Sequence, residues 1–216
     1  AVIVKQMTTY AESLMGPRGE FEIGADTWTC GGKDVTFRCF TGPAHSLTLR
    51  DFYDKYMTKS DATNTNDFLI YEDERYSFQN TYDRAAALAH VLQATFGIAK
   101  GDRVCIAMRN FPEWCISFIA ATAIGAVAVP INGWWGPHEL EYGLQDSGSK
   151  VLICDQERYG RAAHCLQKLG IRALTVRAKI AGAANFDTLV GAALHDGKSM
   201  PSVTIGVDDA AAMMLW

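Results

Sequence analysis

The sequence lacks most of the short motifs that announce a chemistry on their own. None of its six cysteines (Cys30, Cys39, Cys105, Cys115, Cys154, Cys165) falls in a C-x-x-C pair, and several lie inside apolar runs where a thiol acts as a small hydrophobe. Reduced, structural cysteines are therefore expected, and no metal ligand set is assigned: the five histidines are scattered, and His164 and Cys165 point to neighbouring faces of one helix. No G-x-G-x-x-G follows a strand, so the dinucleotide fingerprint is missing, and no G-x-S-x-G elbow occurs. The stretch from Gly191 to Gly197-Lys198-Ser199 resembles a phosphate loop, but five residues separate its glycines and Pro201 blocks a following helix. Basic runs are also missing. With 24 acidic against 20 basic residues and a net charge of -4, nucleic acid is excluded as an expected partner. The longest apolar stretch, around Cys115 to Ile131, is broken by Gly125 and Pro130, and Ala1 to Val4 is too short for a signal-peptide core. A soluble, non-secreted, cytoplasmic protein without a membrane span is the reading.

What is present is the composition of a packed domain, 49% apolar and 20% charged. Residues 1–46 read as an irregular extension, because glycine and proline interrupt each emerging pattern. Leu47 to Met57 reads as a short amphipathic helix with Ser46 or Thr48 as cap, and Asp61 to Asn66 as a polar linker. Phe68 to Tyr71 and Arg75 to Phe78 flank the acidic Glu72-Asp73-Glu74, which predicts a hairpin with a solvated, structural tip. Ala85, Leu88, Ala89 and Leu92 then follow a helical period ended by Gly97. From Arg103 the chain alternates apolar strands (103–108, 126–131, 150–154, 172–176) with helices (114–124, 138–146, 156–169), the first helix being apolar nearly all round and capped by Asn110. This alternation predicts an α/β fold with a mainly parallel sheet covered by helices. Phe186 to Leu194 reads as one more helix and Ala210 to Trp216 as a buried strand.

Two stretches resemble the adenylate-forming superfamily, the AMP-dependent synthetases and ligases. Phe68 to Phe78 (FLIYEDERYSF) with the helix after it looks like the family's opening motif. Ala120 to Gly143 (AATAIGAVAVPINGWWGPHELEYG) resembles its second, in which a buried helix ends at a glycine (Gly125), a short strand reaches a proline (Pro130) and a helix with a Glu-Leu core follows (Glu139-Leu140). Asp146 to Asp155 (DSGSKVLICD) continues the similarity, and Asp208-Asp209-Ala210 to Met214 matches the strand that leads into the family's phosphate loop. Residues 47–216 are accordingly expected to be the N-terminal portion of an AMP-binding domain, stopping before that loop. The Trp134-Trp135 pair resembles fatty or aromatic acid:CoA ligases.

The resemblance implies a parent enzyme that uses ATP, Mg2+ and CoA to turn a carboxylic acid into an acyl-adenylate and then an acyl-CoA. It places no catalytic residue within these 216 residues, so the chain alone is expected to be inactive. The alternative is a truncated, non-catalytic paralogue that binds an acyl or CoA-like ligand or a partner. Homologous coding sequence after Trp216 would separate the two. The resemblance also places CoA's nucleotide near the turn after the second motif, which nominates Asn132, Gly133 and Trp134 with Arg158 and Arg161. The bland alternative is that Gly133 shapes the turn, the tryptophans pack and the arginines face water. Self-association through a truncated sheet edge is a further expectation.

Overall fold

The computed structural model describes residues 23–30, 32–40, 46–58 and 66–215. The chain divides between Thr48 and Leu49 into two compact units. In the first, β1 (Ile23–Cys30) and β2 (Lys33–Phe40) pair antiparallel from Ile23 opposite Phe40 to Cys30 opposite Lys33. This corrects the irregular reading of that stretch. Gly32, at φ 75°, belongs to the hairpin turn, and the Thr27 and Thr36 hydroxyls meet across the strands at 3.3 Å. The expected linker, Asp61 to Asn66, lies outside the described residues up to position 65.

The second unit starts with α1 (Leu49–Met57), then β3 (Asp67–Tyr71) and β4 (Glu74–Ser77), which form a separate two-stranded hairpin, and α2 (Phe78–Ala94). The α/β series follows: β5 (Arg103–Ala107), α3 (Pro112–Ala123), β6 (Val127–Pro130), α4 (Pro137–Asp146), β7 (Val151–Cys154), α5 (Gln156–Leu169) and β8 (Arg172–Thr175). A two-residue β9 (Ala184–Asn185), which has no sequence signal, precedes α6 (Phe186–His195). The main sheet has the order β6-β5-β7-β8-β9, and every pairing in it is parallel.

Both faces of this sheet are dry. Val104 and Ile106 of β5 and Val151 and Ile153 of β7 enter one core with α2, α3 and α6, while Cys105, Ala107, Leu152 and Cys154 enter the other with α4 and α5. An apolar run on a half-exposed strand would waste alternate residues, so runs of this kind need helices on both sides. In α3, nine of twelve residues are buried, as its all-round apolarity requires. Trp114 and Phe118 stay half-buried, stacked at 5.7 Å. Phe111, not Asn110, occupies the cap position, and Pro112 opens the helix. Cys105, Cys154 and Cys165 are buried free thiols and Cys115 is half-buried; burial pushes the Cys105 and Cys154 thiols well up, which makes them inert.

Two features depart from expectation. The segment at Ala210 to Leu215 is not a buried strand. It touches β6 at one point, where Ala128 N–H donates to the Ala211 carbonyl and Met213 N–H to the Ala128 carbonyl, both at 2.9 Å, and Ala212 to Met214 are exposed. A run of alanine and methionine reads as core, but on this edge no described element packs over it.

The hairpin tip is also more than a solvated turn. Arg177 grips Glu74 through two nitrogens, each at 2.8 Å, and reaches the buried Glu113 at 2.9 Å. Its guanidinium lies 4.9 Å from the Tyr71 ring and 4.8 Å from the Phe111 ring. The bond from Arg177, helped by the Tyr76 hydroxyl, holds the Glu74 carboxyl down at about 2 against an ordinary 4.5. The pair therefore adds stability above about pH 4.5, and that contribution disappears as pH falls toward 2. Acid titration of Glu74→Gln should show a flatter stability slope between pH 4.5 and 2 than the parent, read as melting temperature against pH; equal slopes would remove this role from Glu74.

Candidate functional site

In a parallel sheet with helices on both faces, loops at the carboxyl ends of the strands part wherever consecutive crossovers go to opposite sides, and a crevice opens there. Here the chain leaves β5 for α3 on one face and leaves the adjacent β7 for α5 on the other. Arg109, Phe111, Asp155, Glu157, Val176 and Arg177 line a cavity of about 200 Å³ at that point.

Asp155 joins its walls. One carboxylate oxygen caps α5 by accepting from the Arg158 N–H at 2.9 Å, and the other accepts from the Arg109 N–H at 3.0 Å and from the Arg158 guanidinium at 3.1 Å. Arg158, only 4% exposed, turns back across α5 toward the loop after β6. Its Nε and Nη2 donate to the Gly133 carbonyl at 2.8 and 2.6 Å, and Nη1 also meets Glu157 at 2.9 Å. Arg161 adds bonds to the Gly133 carbonyl at 3.2 Å and the Trp135 carbonyl at 2.9 Å, and pairs with Glu157. Asn132 completes the turn by accepting the Trp134 N–H at 3.0 Å on its side chain.

The five nominated residues thus come together, as one loop and the helix face that holds it. Four of Arg158's N–H donors are spent on protein oxygens, so it positions the loop from behind. A side chain at Gly133 would meet the Arg158 guanidinium at 3.4 Å, an ordinary contact, so the clamp itself does not demand glycine there. Trp135 packs into the core against Gly143 of α4, while Trp134 is 85% exposed. The clamp residues Asp155, Glu157 and Arg109 escaped the sequence reading; the visible signal was the Asp-x-x-Arg spacing at a helix start, which is a cap pattern. Glu157 is kept ionised, first by the bond from Arg109 and then by Arg158 and Arg161. Among the described residues no cluster of His, Cys, Asp or Glu could hold a metal ion.

A doubly covered parallel sheet with a crevice at the carboxyl ends of its strands defines an α/β domain of the doubly wound kind. The chain belongs to the AMP-binding enzyme family, whose profile matches residues 58–215. It is 34% identical over 169 residues to the acetyl-coenzyme A synthetase of Saccharophagus degradans, a match that covers 68% of this chain and 23% of that protein. It is 42% identical over 102 residues to the long-chain-fatty-acid–CoA ligase FadD13 of Mycobacterium tuberculosis, covering 45% of this chain and 20% of the relative. The matches therefore span less than a quarter of these relatives' lengths. Among solved structures, a benzoate CoA ligase from Burkholderia xenovorans LB400 superposes with a TM-score of 0.66 at 19% identity, over 77% of this chain and 32% of that one; this likeness concerns the fold.

The clamp makes unequal demands on its two arginines. Arg158→Ala removes the cation paired with the nearly buried Asp155 carboxylate, leaving it the two backbone N–H bonds, and should cost about 3 kcal/mol, whereas Arg161→Ala removes partly exposed contacts and should cost far less. Urea melts of both variants check this, and equal losses would refute the assignment of Arg158 as the keystone.

Proposed function

We propose that these residues form the front portion of an AMP-forming acid:CoA ligase. The observation that carries the reading is the family match over 58–215, together with relatives named as acyl-CoA synthetases and ligases. In the overall reaction a carboxylate attacks the α-phosphorus of ATP, giving acyl-adenylate and pyrophosphate. The CoA thiol then displaces AMP to give the thioester. A fatty or aromatic acid is the proposed substrate class.

The described residues do not suit ATP or Mg2+. Arg109, Arg158, Arg161 and Arg177 are each paired to a carboxylate, and there is no carboxylate cluster for a metal; no step is assigned to these groups here. For CoA the fit is better. Asn132, Gly133 and the exposed Trp134 ring present a surface beside Arg161, one quarter exposed at its side chain, and Arg158 fixes the Gly133 peptide under it. The chain's own contribution is to hold this loop and offer an indole face to a purine. A cytoplasmic location, and self-association through the exposed Val207, Met213 and Met214, complete the proposal. No described helix is long and apolar enough to cross a membrane.

A phosphoryl centre needs several converging donors, and loss of one alone typically costs about 100-fold. The 216-residue chain should therefore give background counts in ATP-pyrophosphate exchange with short, long and aromatic acids. Acid-dependent exchange surviving a mock-purification control would overturn the proposal that these residues carry no adenylation site. For the loop, CoA should quench tryptophan fluorescence in the parent chain and not in Trp134→Phe. Identical titrations of both would dismiss Trp134 as a contact.

A further inference from the structure

Of the six asparagines, Asn132 alone is followed by glycine. The others precede threonine, aspartate or phenylalanine, whose side chains crowd the next backbone nitrogen, whereas glycine, with no Cβ, leaves that nitrogen open. The pair stands in the loop after β6, with Asn132 exposed and Gly133 half-buried. Water therefore reaches it.

The turn sets these two residues up to react with each other. Asn132 Oδ1 accepts the Trp134 N–H at 3.0 Å, a bond that folds the side chain over the intervening peptide and brings its amide carbon beside the Gly133 nitrogen. The same bond polarises the side-chain carbonyl, because an N–H already points at the oxygen on which negative charge develops when a nucleophile adds to that carbon. The Gly133 N–H donates to no described residue, and no described residue holds the Asn132 amide nitrogen. Arg158 turns Nε and Nη2 toward Gly133 and Nη1 toward Asp155 and Glu157. The cation thus lies against the residue that would attack, and the carboxylates lie beyond it.

Asp196-Gly197 is a pair of similar chemistry arranged to the opposite effect. The Gly197 N–H donates to the Leu194 carbonyl at 3.0 Å, and Asp196 keeps helical backbone angles at the end of α6. Its would-be nucleophile is held in the last turn of a helix.

We propose that Asn132-Gly133 is a self-modification site, at which the folded turn promotes loss of the asparagine amide. The Gly133 nitrogen gives its proton to solvent base and bonds to Asn132 Cγ. The Cγ–Nδ2 bond then breaks, and ammonia leaves with a proton from solvent. One water opens the resulting succinimide at either of its carbonyls, giving aspartate or isoaspartate. Overall one water is consumed and one ammonia released, with no change of oxidation state. The product carries a carboxylate beside Trp134. Where this loop meets CoA, as proposed above, that charge repels the cofactor's phosphates; this consequence rests on the CoA reading, and the modification does not.

The 216-residue chain is held at mildly alkaline pH, folded or unfolded in urea, and peptides carrying positions 132 and 196 are followed by mass spectrometry and isoaspartyl methyltransferase labelling. Folding should raise the rate of conversion at Asn132 and lower that at Asp196. In Gly133→Ala the added Cβ meets only ordinary contacts, so this variant should melt like the parent. Its Cβ shields the neighbouring nitrogen, so conversion at Asn132 should slow about tenfold or more. No conversion at Asn132 in the folded chain, conversion slower there than in urea, or an unchanged rate in Gly133→Ala overturns the proposal. Converted chain should also show weaker tryptophan quenching by CoA than fresh chain. Equal quenching of the two overturns the effect on the cofactor surface, and a fresh chain that CoA does not quench refutes the CoA reading while the measured conversion stands.

Discussion

The structure depends on a sheet that tolerates water on neither face. Because β5 and β7 alternate their side chains between two apolar cores, helices must cover both sides, and each crossover must pass over one of them. Neighbouring strands then send their continuations in opposite directions, and the carboxyl edge splits open between the loop at Arg109 and the cap at Asp155. The crevice is a geometric consequence of burying both faces. It is also the weakest part of the construction, since loops there have no ladder to join.

Two guanidinium groups repair that weakness. Arg158 draws the β6 loop, the α5 cap and the end of β5 to one point, and Arg177 draws in the hairpin and the start of α3. Burying charge is expensive and the mutual attraction of a buried pair returns little net stability. The benefit is positional. A planar fork with several donors can satisfy carbonyls and carboxylates from different loops at once, which a lysine ammonium on its flexible stem does less well. At Arg177 the backbone takes φ 56°, a strain of about 1 kcal/mol for a residue other than glycine, and the two-pronged grip on Glu74 with the flanking Tyr71 and Phe111 rings offsets it.

Periodicity made much of the fold legible. The four longer strands of the parallel sheet follow from continuous apolar runs buried on both faces, the helices between them from a spacing of 3.6, and the hairpin at Phe68 to Phe78 from two short runs flanking an acidic turn. Where spacing carries no information the reading failed. β9 has two residues, too few for a period. The hairpin at Ile23–Phe40 turns at Gly32, one of the glycines that interrupt the pattern there, and Ala210 to Trp216 reads as a buried strand from composition although its burial depends on what packs over it. The candidate site was legible as a neighbourhood: Asn132 to Trp134, Arg158 and Arg161 do meet. Their partners were not, since Arg158 reaches Gly133 across 25 positions and long, flexible side chains leave no periodic trace.

That last point bears on chemistry. A cation assists phosphoryl or acyl transfer only if it stabilises the transition state more than the ground state, and a guanidinium already satisfied by protein oxygens must first break those bonds. Arg158 has spent four of its five N–H donors on protein oxygens, and Arg177 is held by two carboxylates. The carboxyl edge of this sheet is consequently electrostatically closed. It fixes the position of a turn and an exposed indole.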